Sequence, residues 1–122
     1  MTEVIIKLDD RFNIHKINQD INTIFQNNNE VIFIFDIIAV NILNWKLLLS
    51  ILPILKKYRP QIKTQLVKSI IVAPHKWQHL LLKTFFTLYK PIKPFHLVFS
   101  YDKIPRSEKL NFKESETEEA LV

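Results

Sequence analysis

His75 and His79 stand four residues apart, the spacing that puts two imidazoles on one helical face within reach of a single zinc ion. The pair lacks the glutamate of the zincin motif and no third ligand can be named, so no metal is expected. Serines offer no better start. Ser50 and Ser69 lie in periodic segments, while Ser100, Ser107 and Ser115 border or occupy the C-terminal end, so no nucleophile, base and orienting group assemble. His15 and His96 fall in segments that read as strands, where they are expected at an edge or surface. Asp36 closes an oily run and is the one carboxylate placed for chemistry, with a cap or turn role as the plainer alternative. The chain has no cysteine, which excludes disulfides and thiolate chemistry, and no glycine, which excludes the Walker loop, the dinucleotide fingerprint and the nucleophile elbow.

Binding is better served than catalysis. Asn44 suits a helix N-cap, with Trp45 and Lys46 in the first turn that follows. His75 and Lys76 follow Pro74 at a second helix start, where the dipole can attract an anion or the groups can simply be solvated. The Asn44 start is expected at the end of the strands, where open α/β sheets bind their ligands. Trp45 there can anchor a protein partner or pack on the sheet. Asn44, Trp45, Lys46, His75 and Lys76 are therefore the candidate partner-binding residues, and no cofactor is expected.

The elements that must position them follow from periodicity. Val4–Leu8 reads as a strand, and Phe12 and Ile14 continue in period two over Arg11–His15, which predicts a hairpin through Asp9 and Asp10. Ile17, Ile21, Ile24 and Phe25 form one helical face, closed by Asn27, Asn28 and Asn29, a run suited to a left-handed turn. Val31–Ile37 has the β-branched and aromatic make-up of a central strand. Leu43–Tyr58 predicts a helix that Pro53 kinks or restarts, followed after Pro60 by a polar linker. Val67–Ala73 is a second buried strand. Pro74 then opens a helix with Trp77, Leu80, Leu81, Phe85, Leu88 and Tyr89 turned inward, and Phe95–Phe99 is the last strand. The expected fold is α/β, with a mixed, mainly parallel sheet of about five strands and three helices in the order β-β-α-β-α-β-α-β. The expected domain covers residues 1–100, and residues 101–122, ending in the polar run Glu114–Glu119, are expected to form a flexible acidic tail.

The string from Phe35-Asp36-Ile37 through Asn44-Trp45-Lys46-Leu47-Leu48 resembles the central strand and following helix start of the anti-sigma-factor-antagonist (STAS) domains, with matching spacing. The element order resembles them too, over residues 3–100. The resemblance implies a STAS-like fold and a regulatory protein-interaction role. It also implies a departure, because Trp45 and Lys46 stand where those domains carry the phosphorylated serine pair, and Asn44 replaces their acid. The second half, from Tyr58 and Pro60 through Ile70-Ile71-Val72-Ala73-Pro74 to Lys90-Pro91 and Leu97, is similar to the closing part of CRAL-TRIO lipid-binding domains, without the extra helices that enclose a lipid.

With 122 residues, 48% apolar and 24% charged, the chain has the make-up of one soluble domain. Residues 1–100 carry a formal charge of +7 and residues 101–122 carry −2, without the clustering that nucleic-acid binding needs, so no nucleic acid is expected. Val31–Leu55 is oily, yet it holds Asp36, Lys46 and Pro53, so a strand followed by a helix is expected and no transmembrane segment. The start Met-Thr-Glu-Val shows no secretory pattern, which predicts a cytoplasmic protein. The expected function is non-enzymatic binding of a protein partner. The alternatives are a lipid or membrane surface, and self-association through a sheet edge or the oily helices.

Overall fold

The computed structural model describes residues 2–11 and 13–104. Within them the order is β1 (Thr2–Asp9), α1 (Ile14–Asn27), β2 (Val31–Ala39), α2 (Trp45–Lys57), α3 (Arg59–Gln65), β3 (Leu66–Val72), α4 (Lys76–Leu88) and β4 (Phe95–Val98), then a 3-10 turn at Tyr101–Lys103. The sheet runs β1-β2-β3-β4 and every neighbouring pair is parallel. The chain is thus α/β as expected, but with four described strands, all parallel, and four helices in place of three.

Each strand lies beside its predecessor, and right-handed crossovers repeated in one direction place every helix on the same side of the sheet. The clusters agree. Ile17, Ile21 and Phe25 of α1, Ile54 of α2 and Ile62 of α3 pack on Ile6, Val31 and Phe33. Leu48 of α2 with Leu82 and Phe85 of α4 packs on Ile37, Ile71 and Leu97. The opposite face carries Ile32, Ile34, Ile70, Val72 and Val98 and, among the described residues, is capped by Tyr101 and Ile104. β2 is therefore apolar on both faces, which is why its sequence does not alternate. No helix among the described residues is long and apolar enough to cross a membrane.

The opening hairpin does not form. Asp9 turns the chain by accepting the Arg11 N–H (2.8 Å), and Asn13 caps α1 by accepting from the amides of His15 (2.8 Å) and Lys16 (3.4 Å). Ile14 thus joins the helical phase of Ile17 and Ile21, and His15 is an exposed helical residue; Phe12 lies outside the described residues. The capped amides and a four-turn apolar stripe outweigh a two-residue alternation.

The Asn run turns without a left-handed residue: Asn28 is extended (φ −136°), and no described residue has positive φ. The C-terminal carbonyls of α1 are met instead by side chains. Asn28 Nδ2 donates to Ile24 O (2.8 Å), and Gln65 Nε2 donates to the carbonyls of Phe25 and Asn28 (2.6 Å each).

The polar linker after Pro60 is also replaced, by α3. Pro60 sits in its first turn, where a missing N–H costs nothing, and Ile62 is buried beneath it. Pro53 lies within α2 without ending it. Residues 101–104 of the expected tail fold onto the sheet, with Ile104 buried, and residues 105–122 lie outside the described residues.

Candidate functional site

The carboxyl ends of β1, β2 and β3 are stitched together by side chains whose local geometry follows from the caps. The Asp10 carboxylate accepts the N–H groups of Asn41 (2.8 Å) and Ile42 (3.0 Å) and the Asn41 side-chain amide (3.1 Å). The Ile42 N–H in particular holds the Asp10 carboxyl below its usual range. This fixes the loop that leads to Asn44, whose Oδ1 accepts from Leu47 N (2.9 Å) and caps α2. Asn44 is therefore the N-cap the spacing predicts.

Trp45 does not stand free beside it. Its ring packs edge-on against Phe85 (5.3 Å between centroids) and reaches Tyr89 (6.5 Å), at the far end of α4. Lys46 remains exposed. His75 and Lys76 open α4, nine residues before Phe85, so the two candidate groups are about 14 Å apart along that helix. The structure brings Asn44, Trp45 and Lys46 together and His75 with Lys76, but it does not merge the two sets into one site.

The start of α4 is held by a residue that the apolar periodicity does not single out. Gln78 is fully buried, and its Oε1 accepts the His75 N–H (3.1 Å) while its Nε2 donates to the Val40 carbonyl (3.4 Å). His75-x-x-Gln78 is half of a capping box, a spacing visible in the sequence. The two histidines part company here. His79 is buried, donates from Nε2 to the Ala73 carbonyl (2.7 Å) and stacks on Phe99 (4.0 Å, 9°), whereas His75 is exposed and lies parallel to Trp77 (6.3 Å, 11°). Among the described residues no group of three or more His, Cys, Asp or Glu could hold a metal ion. His96 lies on β4, an edge strand of the described sheet as expected, but is buried there in the row of Ile34 and Ile70, not at the surface.

Asp36 lies within β2 and not at its end, since the strand continues to Ala39. It is buried, accepts the Ile38 N–H (3.0 Å) through one oxygen and takes the Tyr101 hydroxyl on the other. Burial first, then the Asp36 hydrogen bond and charge, push the Tyr101 phenol up to about 12. The folded state holds the neutral phenol, so the contact's contribution is whole below the ordinary tyrosine value of about 10 and is lost as pH rises through about 12. In an absorbance titration of phenolate, Tyr101 is expected to ionise later than an unperturbed tyrosine, and Tyr101→Phe should delete that last step. An unchanged high-pH limb in Tyr101→Phe would show the pairing to be absent.

The outer side of α4 is the least expected surface. Trp77 (45% exposed), Leu80 (68%) and Leu88 (66%) lie on the solvent side, Leu88 two turns beyond Leu80 with Thr84 between them, although the periodicity predicts them to face inward, and Tyr89 is exposed with them. The helix instead buries Gln78, His79, Leu82 and Phe85. Two phases of the same segment are apolar, and the hydrogen bonds of Gln78 and His79 select the one that hides polar groups.

Compared with known proteins, the chain matches no family model, no curated protein and no solved structure.

Proposed function

We propose that this chain is a non-enzymatic protein-interaction domain that presents the outer face of α4 to a protein partner. The observation that supports it is the stripe of Trp77, Leu80 and Leu88, large apolar side chains left in water while Gln78 and His79 occupy the interior. Large apolar side chains left exposed along one helix are a common mark of a contact site, and a half-exposed Trp is the residue type that most often carries binding energy. His75 lies against Trp77, and Lys76 borders it, so the candidate residues at this helix start belong to the same surface. The STAS resemblance from Phe35 to Leu48 favours a regulatory role of the same class, one that cannot run through serine phosphorylation at Trp45 and Lys46.

Affinity purification of the tagged chain, compared with Leu80→Glu and Leu88→Glu, tests this. Both side chains are exposed, so stability should stay within about 0.5 kcal/mol of wild type while the bound partner is lost. Recovery of the same partner in the same yield would refute the α4 surface.

A membrane surface is the second reading, favoured by exposed Lys76 and Lys90 at the two ends of the apolar stripe. Flotation with anionic liposomes at low salt separates the two, since a protein-specific surface leaves the chain unbound.

A further inference from the structure

Among the described residues β1 is an outer strand of the sheet, and its backbone has a definite sidedness. The Thr2 N–H donates to the Glu30 carbonyl on the β2 side (3.2 Å). Successive residues alternate, so the N–H and C=O groups of Glu3, Ile5 and Lys7 point toward the outer edge. The pairing with β2 is regular from Thr2 to Lys7 and shifts only beyond it, which leaves a straight outer margin over these residues. The side chains of the same three residues share the face away from the helices, and Ile5 is 51% exposed there. A groove of about 640 Å³ follows this margin, walled by β1 and by Lys16, Asp20 and Ile24 of α1.

Read in the antiparallel direction, this segment is its own complement. With Ile5 opposite Ile5 of the partner subunit, Glu3 faces the partner's Lys7 and Lys7 faces the partner's Glu3. On the helix side Val4 meets the partner's Ile6 in the same register. The Ile5–Ile5 and Glu3–Lys7 matches join residues whose backbone groups point outward, so each of these also exchanges N–H···O=C bonds, while Val4 and the partner's Ile6 meet through side chains alone. We propose that two copies of this chain associate through β1, antiparallel about a two-fold axis at Ile5, and join their sheets into one.

The interface is isologous, as a closed dimer requires. Proteins that must avoid such pairing put lysine or proline at the middle of a long edge strand; this chain puts an exposed isoleucine there and places its charges as opposites on either side. Glu3 already lies in one cross-strand row with Lys68, whose pKa burial lowers and the Glu3 charge in part restores. In the dimer that carboxylate sits between Lys68 and the partner's Lys7. The α4 stripe takes no part, so this dimer and the α4 reading stand or fall separately.

Sedimentation equilibrium of the full chain over a wide concentration range is expected to show a dimer. Lys7→Glu sets carboxylates opposite each other at both ends of the ladder and should weaken association by about tenfold or more. Glu3→Lys should do the same with two lysines, and an equimolar mixture of the two variants should recover association, because every facing pair is again of opposite sign. Ile5→Pro removes an outward N–H without touching a β1–β2 bond and should abolish the dimer. Far-UV circular dichroism establishes that each variant is folded. A wild-type chain that stays monomeric at high concentration would overturn the proposal, and so would a dimer indifferent to Lys7→Glu and to the mixture.

Discussion

Phe85→Ala is expected to lower the free energy of unfolding by about 3–5 kcal/mol, the range for truncating a large aromatic inside a packed core. Phe85 is 2% exposed and lies where α2, α4 and the sheet converge. Its ring meets Trp45 (5.3 Å), Tyr89 (4.9 Å) and Phe86 (5.4 Å), so the substitution removes its own buried area and also unseats three aromatic neighbours. For a domain with about 5–15 kcal/mol of stability, that is a large share of the whole. Urea unfolding gives the loss directly. Tryptophan fluorescence in a Trp77→Phe background should shift to the red as Trp45 gains water. A loss below about 1 kcal/mol with Trp45 emission unmoved would mean that this aromatic cluster is not packed as described.

Gln78→Ala is expected to cost about 2–4 kcal/mol, which is unusual for the loss of a polar side chain. The side chain is fully buried and joins two segments far apart in sequence, the start of α4 through His75 N–H and the end of β2 through the Val40 carbonyl. Truncation leaves a void and takes a partner from each of those groups. Gln78→Met keeps most of the volume, so comparing the two variants by urea unfolding separates packing from hydrogen bonding. The Met variant should recover about half of the loss. Amide exchange in the loop of residues 40–44 should quicken in both variants, because Gln78 ties that loop to α4. If Gln78→Met loses nothing and the loop exchanges as before, the two hydrogen bonds contribute no net stability.

What was legible in the sequence was legible because one signal acted alone. Val31–Ile37 has no competing helical phase and only Asp36 as a polar interruption, and it forms an inner strand of the sheet. Asn44 combines a capping side chain with an apolar period immediately after it, and it caps α2. Where two signals overlapped, the outcome depended on partners that local pattern does not contain. Ile14 fitted both a strand through Phe12 and a helix through Ile17, and the Asn13 cap decided for the helix. In α4 the set Trp77, Leu80, Leu88 and the set Leu82, Phe85 are both helical stripes, and the choice was made by Val40 and Ala73 carbonyls supplied from other elements. The Asp36–Tyr101 pair spans 65 residues, a separation at which no spacing rule operates.

The left-to-right order β1-β2-β3-β4 has a consequence for how the polypeptide is made. No strand waits for a later one to be inserted between it and its neighbour, so a chain leaving the ribosome can add each strand to the template completed just before it. Every pairing joins elements consecutive in the sheet and in synthesis, which keeps loop closure short for a parallel architecture. The growing margin passes from β2 to β3 and ends at β4, a strand of only four residues. Among the described residues the sheet therefore has one long side, β1 of eight residues and made first, and one short side, β4 of four residues, which offers little backbone to recruit a further strand.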